Sequence, residues 1–296
     1  ITYDSTGPYK SGETVVISAT FNKALVDSPK PQIAIAGSGI ANVTATDMTK
    51  SSSTVWTYSY SVPSGNGTGT ITLSNGEDSA GNTVTSTPTS GTTFNVDNTR
   101  PTIAINATSA INNNVIESGS TVSREYSSYL NLTFTSSEAT TNFDINDITV
   151  SGGELTNFSG GYGFIFSARF TPTNFPQTGV VTIDVAANTF TDLGGNNNTA
   201  ASQFILYYDN VKPNMTISSS TSGVSNGSST DDDIIELTFT SSKATTNFVI
   251  GDISVTGGTL SNFSGSGTTY TATLTPTGTG LIQETTIDVN AGTFTD

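Results

Sequence analysis

The chain has 296 residues, a net charge of −15 from 24 acidic and 9 basic side chains, and neither cysteine nor histidine. That excludes disulfides, thiol or imidazole nucleophile–base pairs, and thiolate or imidazole metal ligands. The negative balance makes nucleic acid and anionic membranes poor partners and hard cations good ones.

The length allows two or three domains of ordinary size. A hydrophobic content of 33% suffices for thin, Thr-rich sandwiches. No run of about 20 apolar residues offers a membrane span. The chain opens at Ile1 without a leader and stops inside a repeat, so it reads as a processed or excised piece of a longer polypeptide.

Taken in order, Thr14–Phe21 alternates, with Val15, Ile17, Ala19 and Phe21 on one face, which predicts a half-buried strand. Gln32–Ala36 is a second, closed by Gly37-Ser38-Gly39. Trp56, Tyr58, Tyr60 and Val62 share one face of a third, ended by Pro63 and Gly65-Asn66-Gly67. That aromatic face reads as core, with a sugar-stacking platform as the alternative. Thr70–Leu73 and the strand through Phe94 and Val96 complete the first set.

The plan then repeats. Leu130–Phe134, Asp147–Val150, the Phe166/Ala168/Phe170 face and the Val181/Ile183/Val185 face form a second set. Leu237–Phe248, Leu260–Gly265 and Thr286–Val289 copy it in a third. No helical period is evident. Short strands with turn signals every 8–12 residues predict an all-β fold of tandem β-sandwich domains strung as beads in an elongated array. The expected domains are 1–99, 100–211 and 212–296, the third lacking a counterpart of Gln203–Tyr208. Residues beyond 296, or a strand donated by a neighbour, are expected to supply it.

Between the sets lies a recurrent seam. An acidic Gly-Asn turn, Glu77–Asn82 or Thr191–Asn196, precedes a short strand and then an Asp with a Pro four residues on, Asp97–Pro101 or Asp209–Pro213. The hinge alone opens the chain at Asp4–Pro8, and the turn alone begins again at Thr293–Asp296.

The strings Ala139–Phe143, Asp147–Gly153, Leu155–Gly160 and Phe190-Thr191-Asp192 with Gly195-Asn196 resemble the bacterial Ig-like repeats of very large secreted surface proteins. Gly7–Val15 is similar to a sister class of the same repeats. The resemblance implies that the tandem β-sandwich domains are Ig-like and that their role is non-catalytic and extracellular. An adhesin stalk comes first and an S-layer or filament subunit second, while a third reading, a polysaccharide-binding accessory module, rests on the aromatic strand of Trp56, Tyr58 and Tyr60 alone. Its partners would be neighbouring domains or copies of the same protein, or a cell-surface ligand bound by regions outside this segment. It also implies calcium at the seams.

The seam residues suit that ion, which takes 6–8 oxygen ligands. The expected ligands are Asp78 with Asp97, and Asp192 with Asp209, each hinge Asp helped by its Asn neighbour. Asp4, Glu13 and Glu117 are further candidates. The alternative is that the turn acids form Asx-type turns and the hinge acids cap or solvate the linker. Asp147 and Asp252 are expected to shape the loop before a strand, and Asp231–Asp233 to be a solvated loop. The sequons at Asn157 and Asn262 recur at one repeat position and are the glycosylation candidates.

Overall fold

In a computed structural model the structure describes residues 1–122, 129–173, 178–278 and 284–296. Three hydrophobic cores form among them, one in each of the segments that the repeats delimit. The chain divides into two compact units, Ile1–Asp209 and Asn210–Asp296, so the first unit contains two of the cores.

The first core lies between two four-stranded sheets. One runs in the order Thr2–Tyr3, Thr14–Thr20, Val55–Ser61, Thr49–Lys50. The other runs Val43–Asp47, Pro31–Ala36, Gly67–Asn75, Thr93–Val96. Strand alternation sends Val15, Ile17 and Ala19 inward against Ile33, Ile35 and Ile71. Each of the larger side chains contributes about 1.5–3 kcal/mol on burial. Trp56 and Tyr60 are 1% and 2% exposed, so they are core and cannot stack on a sugar.

The second core has a five-stranded sheet, Val115–Ile116, Ile103–Ser109, Leu130–Thr140, Gly163–Pro172, Gly153–Ser159. It faces a four-stranded one, Thr121–Val122, Phe204–Asp209, Thr178–Val185, Ile148–Ser151. The long strand Leu130–Thr140 pairs Leu132 with Ala168 and Phe134 with Phe166, stacking the inward faces in register. Thr121–Val122 lies parallel to Tyr207–Tyr208, where a chain segment crosses from one sheet to the other and covers an edge.

In the second unit, Met215–Ser219, Ile235–Thr245 and Gly258–Pro276 form one sheet, and Ile253–Thr256 pairs with Thr286–Val289 in the other. Ile287 and Val289 are half-buried there, whereas Ile183 and Val185 of the second core are sealed. In the second core the strand Phe204–Asp209 pairs with Thr178–Val185 and adds Phe204, Leu206 and Tyr208 to the interior.

The short 3-10 turns Ile145–Asp147 and Ile250–Asp252 are closed as expected, Asp147 accepting from the Asp144 amide and Asp252 from the Val249 amide, each at 2.8 Å. Asp231–Asp233 are exposed, and the Asp232 amide donates to Thr230 Oγ1 at 3.1 Å.

Candidate metal centre

The turn that carries Asp192 is held from below by an aromatic anchor. Phe190, 1% exposed, meets Phe143 edge-on at 5.1 Å, and Phe143 also contacts Phe134, Phe158 and Phe166. Asn198 is fully buried and fully satisfied. Its Oδ1 accepts from the Thr189 and Phe190 amides, and its Nδ2 donates to the Ala186 and Thr199 carbonyls. Asn142 Oδ1 accepts from the Thr191 amide at 3.0 Å. Asp192 itself makes an Asx-type turn, Oδ1 accepting from the Asn196 amide at 2.9 Å and Oδ2 from Asn196 Nδ2 at 3.0 Å. Asp78 does the same with Asn82, and its carboxyl is held down to about 2, chiefly by those Asn82 hydrogen bonds.

The hinge is drawn onto this turn by several bonds. Asn196 Nδ2 donates to the Asp97 carbonyl at 2.9 Å. Arg100 donates from Nε to the Asn197 carbonyl, and from one terminal nitrogen to Asn188 Oδ1 and the Asn198 carbonyl. Lys10 Nζ donates to the Gly195 carbonyl at 2.6 Å. Gly194 fits closely here, since a Cβ would stand 3.3 Å from Asp192 Oδ1 and 3.5 Å from the Asp97 carbonyl oxygen.

The result is a cluster. One carboxylate oxygen from each of Asp97, Glu138 and Asp192 lies within 4.8 Å of the other two, and among the described residues this is the one such group of three acids. Glu138 Oε2 is buried and has no hydrogen-bond partner. Burial first, and then the charges of Asp97 and Asp192, push the Glu138 carboxyl up to about 7. Ionised carboxylates only accept, so these acids satisfy one another only if one keeps a proton or a cation sits among them. The donor set is all oxygen, which suits calcium or magnesium and not a soft metal.

The expected pairing of acids is therefore corrected. Asp97 meets Asp192 and not Asp78, and the reason is topological. Val96 pairs with Gly67, and Gly67–Asn75 runs the length of the domain toward Asp78, roughly 27 Å at 3.4 Å per residue. This hinge thus leaves the first domain at the end opposite that domain's own turn and meets the turn of the second. Asp209 likewise lies at the end of its own domain away from the Asp192 turn. It pairs with Thr178 while Phe204, at the turn side, pairs with Ile183. Asp78 instead takes Lys23 Nζ at 3.3 Å.

The remaining candidates have local partners. Asn98 anchors the hinge to the first domain, Oδ1 accepting from the Ser11 amide and Nδ2 donating to the Gly65 carbonyl. Asp4 Oδ1 accepts from the Val16 amide, and Glu13 Oε2 from the Lys10 amide. Glu117 is exposed in a loop. Asn157 and Asn262 are exposed and both take φ +52 within their strands, a backbone reason for Asn to recur there. Glu138 escaped sequence reasoning. Its signal was a charge reversal against Lys243 in two stretches that otherwise match.

Three comparisons bear on the whole chain. No curated protein sequence matches it. Among solved structures, it is similar to the Escherichia coli adhesin FdeC, at 12% identity and TM-score 0.36, over 93% of this chain and 86% of that one. It is also similar to Yersinia pseudotuberculosis InvD, at 12% identity and TM-score 0.39, over 96% and 80%. A complex of Dpr2 with DIP-Theta Ig domains aligns at 11% identity and TM-score 0.30, over 93% and 88%. Likenesses this faint carry no argument about function. The sequence profile described as "Bacterial Ig-like domain" is another matter, because it matches residues 97–207 and again 209–296, more than half of the chain. With its sandwiches and its repeated seam, the chain belongs to the family of bacterial Ig-like domains.

Proposed function

We propose that this chain is a non-catalytic repeat segment of a prokaryotic cell-surface protein, an adhesin stalk in which calcium stiffens the seam between the first two domains. The observation that carries the reading is the convergence of Asp97, from the hinge, with Glu138 and Asp192, from the following domain, around a buried oxygen without a partner. Calcium would supply the missing positive charge and draw ligands from both domains at once, so relative motion of the two would cost coordination. The Lys10 bond to the Gly195 carbonyl and the Asn196 bond to the Asp97 carbonyl already bring the same surfaces together, which leaves the ion to tighten a formed contact.

Extracellular calcium modules bind with Kd of about 10⁻⁴–10⁻³ M. At millimolar calcium the linkage is then worth about 1 kcal/mol. The ion contributes more to stiffness than to the stability of either domain.

The absence of cysteine allows a clean test. Thr44→Cys and Thr156→Cys place labels on exposed sites of the two domains. The distance distribution between the labels should be narrow in calcium and broaden in chelator, and Asp97→Ala should keep it broad in calcium. No heat of calcium binding, together with a distribution indifferent to chelator, overturns the reading.

A further inference from the structure

The three turn aspartates can be compared position by position. Asp78 bridges Leu25, and Asp192 bridges Thr140. Asp296 holds the third place. Phe294 packs on Phe248 as Phe190 packs on Phe143, and Asn247 accepts from the Thr295 amide as Asn142 does from Thr191. Thr245 is then the counterpart of Thr140, and both hydroxyls donate to the Asn two residues on at 3.0 Å.

Two residues before Leu25, Thr140 and Thr245 stand Lys23, Glu138 and Lys243. Lys23 Nζ lies 3.3 Å from Asp78 Oδ2. Lys243 Nζ lies 2.7 Å from Asp296 Oδ2 and also donates to the Val211 carbonyl, in the segment leading into its domain. Lys23 is largely exposed, so its pair is weak, while the Lys243 side chain is 23% exposed and its pair is better shielded. In both, the chain's own ammonium stands beside the turn aspartate. In the middle domain the same place holds a carboxylate, and the local charge is reversed.

We infer that this one side-chain position sets the cation requirement of each domain: lysine closes the turn with a charge built into the chain, and Glu138 makes the same place depend on a divalent cation from solution. The inference rests on the calcium reading above and deepens it, since it makes one seam responsive to calcium while the turns of the flanking domains are indifferent. A lysine reaches one bond further than a glutamate and its stem is flexible, so an ammonium at position 138 can fold into the space where the three carboxylates meet. There it faces Asp97 and Asp192 as Lys243 faces Asp296. The other fixed charges on this turn, Lys10 and Arg100, point to carbonyls and an amide and leave the carboxylates to this position.

The test uses the full chain with Glu138→Lys, Glu138→Gln and Lys243→Gln, each melted in calcium and in chelator and titrated with calcium by calorimetry. The parent chain should bind one calcium, and Glu138→Lys none. In chelator Glu138→Lys should melt above Glu138→Gln, with no response to calcium. Lys243→Gln should keep calcium binding and lose stability equally in both media. A parent chain that binds no calcium would overturn the calcium reading and with it the cation dependence assigned to Glu138, while the comparison of Glu138→Lys with Glu138→Gln in chelator still decides whether lysine at this position closes the turn. Glu138→Lys melting no higher than Glu138→Gln, or still binding calcium, overturns the inference. So does a Lys243→Gln chain as stable as its parent.

Discussion

Lys10 of the first sandwich donates to the Gly195 carbonyl of the second at 2.6 Å, so a cation fastens across the seam the same turn that carries Asp192. Gly195 has φ +75, and a Cβ there would stand 3.1 Å from Lys10 Nζ, so glycine both makes the turn and admits the lysine. Lys10→Met keeps the apolar stem and removes the charge. It should cost about 1 kcal/mol, below the roughly 1.5–3 kcal/mol of a hydrogen bond to a charged group because Lys10 is only half-buried, read as a lower denaturation midpoint. A midpoint equal to the parent's would mean that the contact carries no net energy.

Arg100 makes a different demand, because it spreads a planar fork over three acceptors around Asn188, Asn197 and Asn198. Arg100→Lys retains charge and loses the fork, so it should destabilise nearly as much as Arg100→Ala, by about 2 kcal/mol. Equilibrium unfolding in denaturant measures both. Full rescue by lysine would show that charge alone matters there.

The pH dependence of the metal-free protein follows from Glu138. Its carboxyl titrates at about 7 in the fold against 4.5 ordinarily, so the fold favours the protonated form. Stability in chelator should therefore rise as pH falls from about 7 toward 4.5 and fall as pH rises through that window. Asp78, held down to about 2, has the opposite sign and loses stability only as pH drops from 3.8 toward 2, outside the window. Denaturation in chelator at pH 5 and pH 8 checks this, and Glu138→Gln should flatten the difference. Greater stability at pH 8 than at pH 5 in the parent, abolished by the same substitution, would reverse the sign and sink the account.

Phe143 and Phe248 occupy the same place in two cores, each ringed by four aromatic partners. Truncation to alanine should cost about 3–5 kcal/mol at either site. The two should differ in one respect. Phe143→Ala removes the support of Phe190 and should weaken calcium binding at Asp192, whereas Phe248→Ala should leave it intact. Calorimetric titration distinguishes them, and equal calcium affinities would separate the aromatic anchor from the site.

A period of two residues was enough to place Val15, Ile17 and Ala19, or Phe166, Ala168 and Phe170, on an inward face, because a strand turns alternate side chains to opposite sides whatever its surroundings. The spaced copies of Asp-Gly-Asn turns and Asp–Pro hinges made the tandem plan legible for the same reason, since repetition is a property of sequence alone. The acids of the seam were legible one at a time, and their partners were not. Asp78 and Asp97 are close in sequence, but a whole strand length separates the two ends of a sandwich, and only the packing of one domain on the next brings Asp97 to Asp192. Glu138 was visible as a mismatch with Lys243 and became meaningful only when the fold set both beside a turn aspartate. The recurrence of Asn157 and Asn262, open to a reading as glycan sites, gained a backbone reason in a φ of +52 that the string of letters does not display. Local periodicity is written in neighbouring residues, whereas a charge site is made by residues far apart in the chain, and their meeting is settled by which ends of the sandwiches touch.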